Sequence, residues 1–248
     1  MNNFFSYITL KFYRFINKLL GTKLSFSADG EDVILKKFFS GLESGFYVDL
    51  GAHNYIDGSN TYYLYLRGWR GICVDPLPGL KNKFKKKRPK DIFLDNAIVT
   101  NSFNKQDIDF YFFKDFPDNS TVSKNRIADL TNNFARTSSN VMQVKTISVS
   151  SLVKNYIGSK EINLLNIDIE GDELNILSDF MKEKVFPWII CVEEIGMYAD
   201  SIITKSPIYR ILIDNSYLLM QRTFLSSIYV HSSSLKKFQT PYTKEIIF

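Results

Sequence analysis

The stretch Phe46-Tyr47-Val48-Asp49-Leu50-Gly51-Ala52-His53 constrains the fold of this chain more than any other. An apolar and aromatic run meets an acid, and a turn of small residues follows. A continuous apolar run marks a parallel strand buried on both faces. An acid and a small-residue turn at its carboxyl end put polar groups where an open α/β sheet receives nucleotide-like ligands. Gly51 and Ala52 allow the backbone to approach such a ligand closely. A second acid-terminated strand, Gly71-Ile72-Cys73-Val74-Asp75, follows at the distance of one crossover helix. A third, Ile162-Asn163-Leu164-Leu165-Asn166-Ile167-Asp168, comes much later. Together they outline a ligand cleft along one edge of an α/β sheet.

The rest of the chain fits that frame. Asp29-Gly30-Glu31-Asp32 precedes an apolar-periodic stretch and predicts a helix start. Helices are expected over residues 60–67, 80–87, 149–156, 172–180 and 207–213. Further strands are expected over residues 91–97, 107–113, 144–149 and 188–193, with residues 217–224 and 228–231 as a closing antiparallel pair. Alternating strands and helices with a terminal hairpin predict a mostly parallel sheet with one reversed edge. Residues 114–140 read as a long, polar, irregular insertion, expected to be a mobile lid over the acceptor.

At 248 residues and 45% hydrophobic content the chain is long enough for one sizeable core. The net charge of +5 suits an anionic ligand but is too small to define a nucleic-acid binder. The basic run of residues 81–90 interleaves a single aromatic, Phe84, and reads as the solvated face of a helix. Cys73 and Cys191 lie in apolar strands and read as core residues, with the cytoplasm as the default compartment. No Cys/His spacing suggests zinc.

The N-terminus differs. Phe5, Ile8, Phe12, Phe15, Ile16 and Leu19 recur at helical spacing, with Lys11, Arg14 and Lys18 on the other side. Its longest uncharged run is too short to span a bilayer, and it lacks a cleavage site of the secretory kind. Residues 1–24 therefore read as an amphipathic helical extension and residues 25–248 as one domain. The extension packs on the domain or on a second copy; the competing reading is a basic amphipathic helix on the inner-membrane surface, through residues 1–20.

An ordered set of motifs carries a resemblance. It comprises Gly30-Glu31-Asp32, the segment 46–53, Ser59-Asn60-Thr61, Arg67-Gly68-Trp69-Arg70-Gly71, Val74-Asp75-Pro76 and Asp95-Asn96-Ala97. Ser120-Thr121-Val122-Ser123, Ile167-Asp168-Ile169-Glu170-Gly171-Asp172-Glu173 and Val192-Glu193-Glu194 complete it. From about Phe26 to the C-terminus, the chain resembles the FkbM-type family of S-adenosylmethionine-dependent O-methyltransferases. The resemblance implies a class I methyltransferase fold: a Rossmann-like seven-stranded sheet, its last strand reversed, with helices on both faces. It implies methyl transfer to a hydroxyl, on a sugar of a surface glycan, a glycan precursor or a secondary metabolite.

The expected S-adenosylmethionine site comprises Glu31, Asp49, Gly51, Ala52, His53, Asp75, Asp95, Asn96 and Asp168. The Gly51-Ala52 turn holds the amino acid end of the cofactor, with Asp49 structuring the site. Asp75 accepts from the ribose hydroxyls, and Asp95 or Asn96 meets the adenine. The catalytic candidates are Asp168, Glu170 and His53. Asp168 and Glu170 face the same way if the strand continues past Ile167. A carboxylate pair acts as a general base or binds a divalent cation. Asp168 with Glu193 and Glu194 forms a candidate Mg²⁺ or Mn²⁺ site. In the competing reading Glu170 caps the following helix and no metal binds.

The alternatives are weaker. A base-amine methyltransferase carries Asn/Asp-Pro-Pro-Tyr where this chain has Asp168-Ile169-Glu170-Gly171. A dinucleotide oxidoreductase needs Gly-x-Gly-x-x-Gly after the first strand, and residues 51–56 do not supply it. Methylation of RNA or protein, and a non-catalytic nucleotide-binding domain that retains the fold, complete the set. No nucleic-acid partner is expected.

Overall fold

Strand β1 (Phe46–Leu50) sends alternate side chains to opposite sides, as the two-residue period of a strand requires. Val48 and Leu50 enter one buried cluster and Tyr47 the other. The computed structural model of the 248-residue chain describes residues 2–134, 140–195 and 198–238, with backbone only for residues 2–6. Around β1 it arranges β2 (Arg70–Val74), β3 (Ile92–Leu94), β7 (Leu164–Ile167), β8 (Ile189–Glu193), β9 (Tyr217–Arg222) and β10 (Ser226–His231). The seven-stranded order is β3-β2-β1-β7-β8-β10-β9. Strands β3, β2, β1, β7 and β8 run parallel to one another. The last strand among the described residues, β10, runs antiparallel to both β8 and β9.

Helices cover both faces. On one side lie α2 (Glu31–Phe38), α3 (Tyr62–Leu66) and α4 (Leu80–Lys87), which bury Leu35, residues 62–66 and Leu80 with Phe84. On the other lie α6 (Val149–Leu152), α7 (Glu173–Lys182) and α9 (Pro207–Asp214), which bury Val149, Ile176, Phe180 and Leu212. Each fully buried aliphatic or aromatic side chain stabilises the fold by about 1.5–3 kcal/mol. Cys73 and Cys191 are free and buried in these layers. Helix α1 (Asn2–Leu20) touches the domain through Tyr13, whose ring stacks on Phe26 at 5.2 Å and lies 5.5 Å from Tyr63.

Several expectations need correction. Residues 114–140 are not irregular throughout: a 3₁₀ turn over Pro117–Asn119 precedes helix α5 (Lys124–Phe134), whose Leu130 is buried. Residues 135–139 of that stretch lie outside the described residues. The strand at 107–112 does not join the main sheet. As β5 (Asp107–Phe112) it pairs with β6 (Asn140–Ser148), which pairs with β4 (Ala97–Val99), in a separate three-stranded sheet. Helix α8 (Ala199–Lys205) was not expected. The strand before Asp168 stops at Ile167, and Glu170 takes a left-handed φ of 59°, so a turn and not strand alternation sets the direction of Glu170.

Candidate active site

The exits of β1 and β7 touch through their backbones. Asp168 N–H donates to Leu50 O at 3.0 Å, and the Gly51 N–H donates to Val74 O at 2.9 Å. Gly51 has φ of 78°, and a Cβ there would lie 1.6 Å from the Asp168 carbonyl oxygen. The glycine is therefore required first by the neighbouring strand, before any ligand is considered. Beside this junction opens a cavity of about 560 Å³, within the usual range for ligand sites. Its wall includes Asp49, Gly51, Ala52, His53, Asp75, Asn96, Asp168, Glu170 and Glu193. Glu31, Asp95 and Glu194 do not line it. Glu31 accepts from Thr223 Oγ1 at 2.6 Å, Asp95 pairs with Lys81 at the surface, and Glu194 accepts from Ser206 and from Tyr229 OH.

On one side of the cavity the polar groups are satisfied by the chain itself. Asp49 Oδ2 accepts from Thr61 Oγ1 at 2.6 Å, and Oδ1 accepts from Asn166 Nδ2 at 2.9 Å. Asn60 Nδ2 in turn donates to Asn166 Oδ1 at 2.8 Å. Behind Thr61 lies Arg88, whose side chain is fully buried. It donates to Asp91 at 2.7 Å, to Tyr47 OH at 2.9 Å and to Thr61 Oγ1 at 2.9 Å, among the rings of Tyr47, Tyr65 and Phe84. Asp91 also accepts from the Gly71 N–H at 3.0 Å. Burial raises the Asp49 pKa, while Arg88 and the two hydrogen bonds oppose that shift. Asp75 accepts the backbone N–H of His53 at 2.8 Å and of Leu77 at 2.7 Å. Burial raises its pKa too, against those two amides.

The opposite side is charge-crowded. Asp168, Glu170 and Glu193 each offer an oxygen, all within 4.8 Å of one another. Asp168 is open to the cavity, whereas Glu170 and Glu193 are buried. The carboxyl oxygens of Asp168 and Glu193 lie close together, so that a proton shared between them would relieve their repulsion. Both are held well above the usual carboxylate range, first by desolvation and then by their like-charged neighbours. Because water reaches Asp168, solvent moderates its shift. Arg126 Nε donates to Glu170 Oε2 at 2.8 Å, and Nη1 donates to Asp129 at 2.9 Å. Glu170 does not cap α7. The start of α7 carries no side-chain cap; Glu173, its first residue, instead accepts from the N–H of Ile169 at 3.2 Å and of Gly171 at 2.9 Å and so holds the turn after Asp168.

The segment Pro117–Ser120 forms the cavity mouth. Asp118 faces His53 Nε2 at 2.9 Å, and Thr121 Oγ1 donates to the Glu170 carbonyl at 2.8 Å. A second groove of about 460 Å³, lined by Arg126, Asp129, Asn133, Gly171, Glu173 and Glu193, adjoins the carboxylate cluster. Sequence reasoning gave Asn60 and Asn166 no role, read Arg88 as part of a solvated run, and left Arg126 inside the polar stretch. The available signals were Ser123 ahead of an Ile127, Leu130, Phe134 spacing, and Arg88 immediately before Pro89, where a helix must end.

The strand order, the reversed last strand and a cavity at the carboxyl ends of the parallel strands define a class I methyltransferase fold. The family model described as "Methyltransferase FkbM domain" matches residues 49–212, more than half of the chain. The chain therefore belongs to the FkbM methyltransferase family, and the match spans the site from Asp49 to Glu193. No curated protein matches it.

Proposed function

We propose that this methyltransferase uses S-adenosylmethionine to methylate a hydroxyl of a neutral sugar, in a surface glycan or a glycan precursor. The observation that carries the reading is the Asp168–Glu193 carboxyl pair, which has raised proton affinity and lies across one cavity from the Gly51 turn and Asp75. Bound S-adenosylmethionine supplies an electrophilic methyl group on a sulfonium. Asp49, Gly51 and Asp75 receive its amino acid and ribose ends in this reading, and Asn96 lies within reach of the base. In its unprotonated form Asp168, open to the cavity, is placed to take the acceptor's hydroxyl proton, while the sulfonium would supply the methyl group and retain the C–S electron pair. Glu193 stabilises that proton by sharing it. Glu170, held by Arg126 and Asn119, serves as wall rather than base. His53, turned to Asp118, positions the mouth.

The acceptor class rests on charge. Among the described residues, the groove beside the cluster presents Asp129, Glu173 and Glu193 against one cation, Arg126. Such a wall repels phosphodiesters, which disfavours RNA, and its carboxylates and Asn133 offer acceptors and a donor for hydroxyls. A protein or secondary-metabolite acceptor is the second reading.

For a divalent cation the fit is permissive: Asp168, Glu170 and Glu193 present three hard oxygens close together. Bound there, Mg²⁺ or Mn²⁺ would offset their repulsion and acidify an acceptor hydroxyl. A methyl-transfer assay tests the whole reading, with nucleotide sugars, glycans, RNA and peptides as acceptors and with chelator or added Mg²⁺ or Mn²⁺. Transfer to sugars supports it, and transfer to RNA or peptide alone refutes it. Loss of activity in chelator, restored by Mg²⁺ or Mn²⁺, assigns the carboxylates to the cation; full activity in chelator assigns them to proton transfer.

A further inference from the structure

Helix α1 docks on the domain by the opposite face from the one its apolar pattern advertises. Tyr13 is its buried anchor. Its OH donates to Leu24 O, and Asn17 Oδ1 accepts from the Leu24 N–H at 2.7 Å. Leu10 packs against the same cluster. The row Ile8, Phe12, Phe15, Leu19, spaced to fall along one side of a helix, points away from the domain and is 46–65% exposed. Beside it runs a second exposed row, Lys11, Arg14 and Lys18. The helix carries no acidic residue. No helix among the described residues is long and apolar enough to cross a membrane.

We propose that α1 is a docking surface for an anionic lipid bilayer, lying in the interface with the apolar row inserted and the basic row against the headgroups. Contiguous exposed apolar surface of this kind marks an interaction site. A basic row flanking it is what an anionic leaflet attracts. A second copy fits less well: two copies of α1 would add basic rows to the same contact, with no acid on either helix to offset them. The connection after α1 is tied to the start of α2. Asp32 accepts from Ser25 Oγ at 2.5 Å, from the Phe26 N–H at 2.9 Å and from Ser27 Oγ at 2.9 Å. Ser27 and Ala28 then line the cavity. The docked helix is thus coupled to the lip of the site, although the proposal does not depend on the acceptor's identity.

The test is co-sedimentation of the full chain with phosphatidylcholine vesicles, with and without phosphatidylglycerol, at low and high salt. Binding is expected only with phosphatidylglycerol and is expected to fall as salt rises. Phe12→Ser with Phe15→Ser should weaken it by at least about tenfold. Lys11→Gln, Arg14→Gln and Lys18→Gln should each weaken it by up to about fivefold. Ile8→Ser with Leu19→Ser repeats the apolar test at exposed positions should the first pair fail to fold. Three results would overturn the proposal: no binding to the anionic vesicles, equal binding to neutral ones, or a lipid-free dimer that Phe12→Ser with Phe15→Ser converts to monomer.

Discussion

The two walls of the cavity handle charge in opposite ways. Around Asp49 the side chains of Thr61 and Asn166 are paired within the chain and Asn60 donates to Asn166, backed by the fully buried Arg88–Asp91 pair. Around Asp168 three carboxylates crowd together, with Arg126 engaged by only one of them and by Asp129. The first wall is complete without ligand. The second binds protons tightly, and a cation seated there would displace them. In the proposed reading, preorganisation belongs to the cofactor side and reactivity to the acceptor side.

The largest expected effect lies where the walls meet. Gly51→Ala forces a Cβ into the Asp168 carbonyl at a left-handed φ, so the variant should lose about 3 kcal/mol or more of stability, or fail to fold. A denaturant midpoint near that of the parent would mean that the junction is looser than described. Next comes the satisfied wall. Arg88→Met strands Asp91 without its cation and should cost about 3–5 kcal/mol. Loss of less than about 1 kcal/mol would remove the claim that this wall depends on its buried pair.

The crowded wall should respond with the opposite sign. Removing a repelling charge by Asp168→Asn should leave stability unchanged or raise it by about 1 kcal/mol near pH 8, while lowering kcat by about 10²–10⁴-fold. The pH dependence follows from the direction of the shifts. Asp168 and Glu193 bind protons more tightly folded than unfolded, so their contribution to stability is complete below the ordinary carboxylate range. It is lost as pH rises from there through their raised range, and Asp168→Asn should flatten that slope. Because the base must be unprotonated, kcat/KM should climb over the same interval. A slope that survives the substitution would locate the proton elsewhere.

The smallest effect concerns the mouth. Asp118 is exposed, so Asp118→Asn should change KM by less than about threefold. Hydrogen exchange over residues 117–123 should slow when acceptor is added, since Thr121 already ties that segment to Glu170. No change on either readout would separate this segment from acceptor binding.

The contrast between the walls also explains what the sequence made legible. Asp49, Asp75, Asp168 and Glu193 were readable because each terminates an apolar run, and a parallel strand has few other places for an acid. Which of Glu193 and Glu194 faces the cavity was not readable. Adjacent strand residues point to opposite faces, and the register that decides between them comes from β10, where Ser226 pairs with Glu193. Arg88 was hidden because a buried arginine at the end of a lysine-rich helix has the same composition as a solvated one; only the rings and Asp91 folded around it distinguish the two. Helix α5 was masked by its asparagines, although Ile127, Leu130 and Phe134 keep helical spacing. The apolar row of α1 was recognised as a stripe, yet the docking face is set by Tyr13, a single residue without a periodic partner strong enough to reveal it.

The most direct test of the central claim, that the satisfied wall is a preformed cofactor site, is calorimetric titration with S-adenosylmethionine and its demethylated product. Binding of micromolar strength, about −8 kcal/mol, is expected, with a marked loss on Asp75→Ala as a charge-assisted contact disappears. Tight binding of NAD with no response to S-adenosylmethionine would contradict the account.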